Sequence, residues 1–486
     1  MSRKRVLEAL KDRLSGIFQK NSFAHGVGVL VSGTAASQLL MVLTAPILTH
    51  LYSPQDFGLV AVYASLLALI NVVSSLCYEL AIPLPKDDQD AAHLVVLSLV
   101  ITMASTILTA LGIVLFADAI VSVFRLPMLA GYLWLLPISV LLVGAFSIFN
   151  YWSIRTKAFG KIASTKLRQT LSTALIQLLG FKLGGVSLLF AQIAGQSVGT
   201  ASLAQLAFTT QGVKQIRLSG VIAAAKRYRY FPMFSTFSGF ANTAGMQLPP
   251  LMFAALFSPA VAGFYALAHR VLSLPMSIVG KAIGDVFFAN AAEAHRRGDV
   301  GLLVVQLHAK LAHIGMPLVL VLVLVGTDIF TLVFGTDWQQ AGNFARWMAP
   351  WLYFVFVASP LSTLFSIAER QKEGMIFQAV LLISRVFAIL FGASIGDIEL
   401  TVMIFAGVSA LCWIGFLFWI AYVAGIPSGE IWLPTLKAFG IALVCTLPLM
   451  IGISVHDKIP MAWLYALPVT VVLITYRYWT LLKNTC

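Results

Sequence analysis

Charge is what this sequence has least of. Asp, Glu, Lys and Arg make up 10% of its 486 residues, against roughly 25% in an ordinary soluble domain. With 59% of the chain hydrophobic, that scarcity excludes a soluble fold. Cysteine is also scarce: Cys77, Cys412, Cys445 and Cys486 show no CxxC spacing, and the first three lie in apolar segments. Neither a disulfide framework nor a metal site is indicated. The hydrolase, kinase and metalloprotease signatures GxSxG, GxxxxGK[ST] and HExxH are missing. The histidines (His25, His50, His93, His269, His295, His308, His313 and His456) are scattered, mostly near the ends of apolar runs, where interfacial hydrogen bonding is their ordinary role. No catalytic residue and no cofactor is therefore expected, and the chain reads as not an enzyme.

What is present is one apolar run after another. A helix needs ~20 mostly apolar residues to cross a hydrocarbon core of about 30 Å. Such runs occupy 22–50, 57–83, 91–117, 129–151, 161–183, 186–210, 231–257, 261–290, 311–334, 344–368, 375–394, 399–424, 433–453 and 462–482. The fold class expected is all-α integral membrane, with about fourteen transmembrane helices. The shortest break surrounds Lys182, Gly184 and Gly185, and merging its flanks would give thirteen. Ahead of the first run, Arg3, Lys4, Arg5, Lys11, Arg13 and Lys20 interleave with Leu7, Leu10, Leu14 and Phe18 at helical spacing, which predicts an amphipathic surface helix over 1–21. The apolar run that follows continues to Pro46, too long for a cleaved signal.

The net charge of +13 would suggest nucleic acid in a soluble protein. Here the basic residues fall in the breaks and act as topology signals. Counted by side, 25 of the 32 Lys and Arg lie with the N-terminus and 4 opposite (Arg125, Lys182, Arg346, Lys458), while Arg270, Lys281 and Arg385 fall inside spans. The positive-inside rule then places both termini in the cytoplasm and requires an even number of spans.

A repeat divides the chain. Leu51-Tyr52-Ser53-Pro54 followed by Gly58 returns 205 residues later as Leu256-Phe257-Ser258-Pro259 followed by Gly263. Six spans separate the copies, so the halves share one orientation about a pseudo-twofold axis along the membrane normal. A recurring Ser-Pro turn between unrelated helices is the plainer explanation. The expected organisation is an N-lobe at 22–213, a linker at 214–230, a C-lobe at 231–424 and two additional helices at 425–486.

Ionisable residues inside spans are costly unless they face a partner or a wet cavity. Five are found: Glu79, Arg270, Lys281, Asp285 and Arg385. At 1.5 Å per residue, Arg270 lies ~14 Å and Arg385 ~15 Å into their spans, near the midplane. On a single helix Lys281 and Ser277 project within ~20° of Arg270, and Asp285 ~60° away, forming a polar stripe. A guanidinium on such a stripe suits a phosphate. Lys281 and Asp285, four residues apart, could equally neutralise each other as a structural pair. Gln38 and Asn242, with Thr34, Ser37, Ser238 and Thr243, place polar groups in the first span of each half, for substrate contact or for helix association. Phe240, Phe253, Phe264 and Tyr265 could line a lipid path, although such aromatics more often serve packing.

The stretches Leu51-Tyr52-Ser53-Pro54-Gln55-Asp56-Phe57-Gly58, Gly263-Phe264-Tyr265-Ala266-Leu267-Ala268-His269-Arg270, Val286-Phe287-Phe288, and Phe334-Gly335-Thr336-Asp337-Trp338, with Ala349-Pro350 and Ser359-Pro360-Leu361-Ser362, resemble the bacterial polysaccharide flippases. These belong to the multidrug/oligosaccharidyl-lipid/polysaccharide exporter superfamily. The resemblance runs from about Gly33 to Arg385. It implies two six-helix lobes around a central cavity, two extra C-terminal helices, and alternating access in the bacterial inner membrane. It further implies a polyprenyl-diphosphate-linked oligosaccharide as substrate, flipped for O-antigen, capsule or exopolysaccharide assembly. Arg270 and Arg385 fall on arginines of the family pattern, whereas Lys281 and Asp285 depart from it. Coupling to H+, Na+ or the membrane potential would draw on Glu79 or Asp285. Membrane lipids, and the polymerase and chain-length proteins of the pathway, are the partners expected of a monomer. A drug antiporter of the superfamily, expected to carry midplane carboxylates, and a membrane glycosyltransferase or polymerase, expected to carry a large outer loop, are the alternatives.

Overall fold

A chain of apolar runs joined by short polar breaks can satisfy its backbone inside a bilayer only by coiling each run into a helix. The computed structural model describes residues 22–209, 216–274, 299–455 and 461–483 and the single positions 287, 291, 293, 294 and 297, with backbone alone for 22–27, 209 and 481–483. Among the described residues every regular element is helical. These are α1 (Ser22–Leu51), α2 (Pro54–Ser74), α3 (Asp88–Phe124), α4 (Leu135–Arg155), α5 (Phe159–Leu179), α6 (Gly185–Thr209), α7 (Leu218–Arg227), α8 (Thr236–Leu256), α9 (Pro259–Leu272), α10 (Val300–Phe334), α11 (Gln339–Ala358), α12 (Gln371–Ile395), α13 (Ile398–Val423), α14 (Ser428–Ser454) and α15 (Ala462–Lys483). Setting aside the short α7, helices stand at all fourteen expected positions, and 10 segments are long and apolar enough to cross a membrane. The predicted N-terminal helix over 1–21 lies outside the described residues.

Two breaks show how the ends are made. Between α5 and α6, Gly180 donates its N–H to Ile176 O at 2.8 Å and a 3-10 turn spans Phe181–Leu183. Gly184 follows at φ 59°, ψ −150°, a conformation essentially closed to residues with a Cβ. The short break is therefore a true helix boundary. α2, by contrast, stops earlier than its hydropathy indicates. Leu76 and Cys77 adopt φ of 51° and 58°, which ends the helix at Ser74 and puts Glu79 into a 3-10 turn over Tyr78–Ala81. Glu79 thus lies past the helix rather than within it.

The chain divides into two compact units, one of Met1–Tyr52 and Tyr63–Thr243, the other of Ser53–Val62 and Ala244–Cys486. In the first, Ala91, Leu94 and Val95 of α3 pack with Ile148 and Trp152 of α4 and Leu203 of α6. The loop ahead of α3 is clamped by Arg155 at the end of α4. Its guanidinium donates to Pro85 O at 2.6 Å and to the Asp88 carboxylate at 2.9 Å. The amphipathic α7 rests on α3 where Gly220 meets the His93 ring; a Cβ there would stand 2.3 Å from the imidazole. In the second unit the largest wholly buried side chains are Trp338, Phe253, Phe330, Phe344, Phe405 and Phe416.

The two copies of the repeat meet each other inside the second unit. A Cβ on Gly58 would stand 1.9 Å from Pro259 O, and one on Gly263 would stand 2.2 Å from Pro54 O. The contact is reciprocal, as in an isologous interface. Trp338 seals it, edge-on to Phe57 at 4.7 Å and to Phe264 at 6.0 Å. The copies differ at the helix start. Ser53 donates its N–H to the Asp56 carboxylate at 2.9 Å, in a capping box, whereas Ser258 makes no side-chain cap. Gly58→Ala and Gly263→Ala are each expected to destabilise the protein by about 1–3 kcal/mol or more, because backbone opposes the new methyl. Gly112→Ala, whose Cβ meets nothing within 4 Å, is the control. Thermal melting in detergent reads the difference, and equal melting of all three variants would show that the turns are not closely packed.

Candidate functional site

The site is built around Arg385, which α12 carries 14 residues from its start at Gln371. It is 8% exposed. Its Nε donates to Ser409 Oγ at 3.0 Å and its Nη1 to Gly245 O at 3.3 Å. The second bond follows from the sequence of α8. Pro249, four residues after Gly245, has no N–H, so the Gly245 carbonyl loses its helical donor. Arg385 takes that place. The guanidinium carbon lies 4.9 Å from the centre of the Trp351 ring and 5.7 Å from that of Phe405, within cation–π range.

The surrounding box is made of i,i+4 pairs, which one helical face brings together. α9 supplies Tyr265 and His269, whose rings stack at 5.7 Å. α13 supplies Phe405 and Ser409. Trp351 of α11 lies 5.3 Å from Phe405 and 6.0 Å from His269, and Tyr265 lies 5.9 Å from Phe405. Phe253, wholly buried, closes the floor at 5.2 Å from Tyr265.

The electrostatics are unusual for their lack of an anion. Four ion pairs occur among the described residues, His93 with Asp90, Arg155 with Asp88, Arg297 with Glu293 and Arg370 with Glu373, and none involves Arg385 or Arg270. Arg270 follows His269 on α9, in its last described turn. It is partly buried, and its side chain makes no hydrogen bond or ion pair with the described protein. Taking a guanidinium out of water without a counter-charge costs several kcal/mol. Aromatic faces and one spare carbonyl offset part of that cost, and an anionic ligand would supply the rest.

The other sequence-predicted residues are placed as follows. Gln38 on α1 is partly buried and Asn242 on α8 is exposed, both in the first unit. Glu79, also there, accepts a hydrogen bond from Ser75 Oγ. Ser277, Lys281 and Asp285, and with them most of the predicted polar stripe, lie outside the described residues. Sequence reasoning missed Gly245, Trp351, Phe405, Ser409 and His269. The one available signal was Pro249-Pro250 within a span, which marks the carbonyls of Gly245 and Met246 as lacking donors.

The fold is that of solved transporters. The lipid II flippase MurJ, in an inward closed conformation, aligns with a TM-score of 0.73 at 12% identity, covering 94% of this chain and 99% of that one. An inward-facing multidrug resistance MATE family transporter of the MOP superfamily aligns with a TM-score of 0.64 at 13% identity, covering 80% and 94%. Helices long and apolar enough to cross a membrane and these likenesses define a multi-pass membrane protein with a fold that solved transporters share. Over residues 47–343 the sequence matches the polysaccharide biosynthesis protein family, and the chain belongs to it. The succinoglycan biosynthesis transport protein ExoT of Rhizobium meliloti (strain 1021) is 24% identical over 343 residues. That match spans 65% of this chain and 63% of ExoT, less than two thirds of the relative's length.

If Arg385 serves a ligand rather than the fold, Arg385→Met is expected to stay folded. Removing a buried charge roughly balances the cost of about 1–3 kcal/mol for leaving the Gly245 carbonyl unpaired. Membrane yield and melting temperature in detergent check this, and a collapse of both would make Arg385 a structural residue.

Proposed function

We propose that this transporter flips a polyprenyl-diphosphate-linked oligosaccharide from the cytoplasmic to the periplasmic leaflet, by alternating access, for surface polysaccharide assembly. The observation that carries the reading is the pair of arginines without carboxylate partners among the described residues, one of them boxed by aromatic rings. A diphosphate bearing sugars cannot enter hydrocarbon and its polyprenyl tail cannot leave it, so the carrier must offer cations within the membrane. Arg385 Nη2 makes no hydrogen bond with the described protein, and neither does the Arg270 side chain. Guanidinium groups bind phosphate oxygens in pairs, which lysine cannot reproduce. The aromatic box suits sugar rings as well, since their C–H faces pack on aromatic surfaces.

In this reading the chain sits in the bacterial inner membrane with both termini cytoplasmic, has no catalytic residue, and delivers its product to a polymerase and chain-length proteins. Return to the starting state draws on the membrane potential, worth about 2.3 kcal/mol per charge per 100 mV, or on a proton or sodium ion at Glu79 or Asp285. Gln38 and Asn242 offer amides for sugar hydroxyls. The family match supports a saccharide-bearing cargo, and the scarcity of carboxylates beside the arginines among the described residues speaks against a cationic drug.

In a strain lacking this gene, Arg270→Ala and Arg385→Ala are each expected to abolish surface polysaccharide while the protein reaches normal levels in the membrane, and Arg385→Lys to restore less than a tenth of it. Polymer at wild-type amounts in both alanine variants would overturn the site. Vesicles containing the purified protein distinguish the antiporter: ion-driven uptake of a cationic dye, unaffected by Arg385→Ala, would favour it.

A further inference from the structure

A second group of cations lies away from Arg385, where α10, α14 and α15 meet. α10 carries Pro317 in its interior, so the carbonyl of His313 has no helical donor. One residue on, Ile314 O accepts a hydrogen bond from Tyr478 of α15 at 2.7 Å, which ties α15 to α10 at this level. At the opposite end of the three helices, Val325, Leu449 and Trp463 close the contact with an apolar cluster.

Arg477 precedes Tyr478, and its Nε is buried without a hydrogen-bond partner. On the other side, Thr435 of α14 hydrogen-bonds His308 of α10 at 2.9 Å, which brings Lys437, two residues on, to the stretch of α10 that carries His313. Three basic groups from three helices are thus gathered without an acidic partner among the described residues. Arg370 and Arg297 of the same unit, by contrast, are each paired with a glutamate. Arg477 lies six residues before Lys483, about 9 Å from the end of α15. Tyr476 and Trp479 flank it, 62% and 51% exposed, as aromatic side chains are at the boundary between hydrocarbon and head groups. Tyr465, Val469 and Val472 extend that exposed face along α15.

We propose that Arg477, Lys437 and His313 form a binding site for the phosphate of an anionic membrane phospholipid, whose acyl chains lie along the exposed face of α15. The like charges of Arg477 and Lys437 favour an anion between them, the His313 imidazole adds an N–H donor, and a guanidinium between helices at the head-group level is suited to a lipid phosphate. The partial burial of Arg477, with its Nε buried, beside exposed aromatics favours a lipid over a free ion. The site is independent of Arg270 and Arg385, and the proposal stands whatever the transported cargo is.

The test uses the full chain purified in a neutral detergent, with the melting temperature followed against phosphatidylglycerol, phosphatidylcholine or inorganic phosphate. Phosphatidylglycerol is expected to raise the Tm of the wild type saturably, and the other two to leave it unchanged. Lys437→Gln is expected to raise the half-saturating phosphatidylglycerol concentration about tenfold, and Arg477→Gln to abolish the saturable shift. Arg477→Lys retains part of it, since the charge remains and the paired geometry is lost. If Arg477→Gln does not fold, Lys437→Gln, an exposed position, decides alone. An equal phosphatidylglycerol shift in wild type and Lys437→Gln would overturn the proposal. So would an equal shift with phosphatidylcholine, and an equal shift with inorganic phosphate would replace the lipid by a free anion.

Discussion

Hydrocarbon offers a carbonyl no water, and the local chemistry of this protein follows from that constraint. Wherever a proline stands inside a helix, the carbonyl four residues earlier loses its donor. Two such points shape the second unit. At Gly245 the missing N–H is replaced by the guanidinium of Arg385, and beside Pro317 the phenol of Tyr478 binds the neighbouring carbonyl of Ile314. In each case a polar group from another helix is drawn inward. In each case cations then stand without an acidic partner among the described residues. Prolines that would merely weaken soluble helices here define where charge can be held.

How much of this is legible in the sequence depends on whether a feature has a period or a composition. The helices were readable because apolar runs of span length have one physical solution, and the break at Gly184 because glycine alone tolerates the required backbone. Arg270 and Arg385 stood out as the wrong residue types for their depth. The early end of α2 was not readable: Leu76 and Cys77 in left-handed conformation look like any apolar pair, and Glu79 was carried into the helix by their hydropathy. Trp351 and Phe405 were invisible for another reason. An aromatic that faces a cation and one that fills a core are the same letter, and only the fold decides which neighbour arrives.

The fold itself leaves function open. Drug exporters and a lipid flippase share it with this chain at 12–13% identity, so the scaffold supplies a way of moving helices and the side chains supply the cargo. Membership of the polysaccharide biosynthesis family narrows the class. In the proposed reading the sign of the buried charge separates the two kinds of cargo, because a guanidinium without an acidic partner repels an organic cation and attracts a diphosphate.

The meeting of Gly58 with Pro259 and of Gly263 with Pro54 has an evolutionary consequence. Two turns of like sequence that touch through the same residues are bound like the halves of a homodimer interface, yet they are encoded separately. Each can mutate alone, but neither can change shape alone. The acidic cap is present at Ser53 and absent at Ser258, so that position tolerates a difference. The glycines at the centre of the contact have no such freedom, and divergence of the two halves must proceed around them.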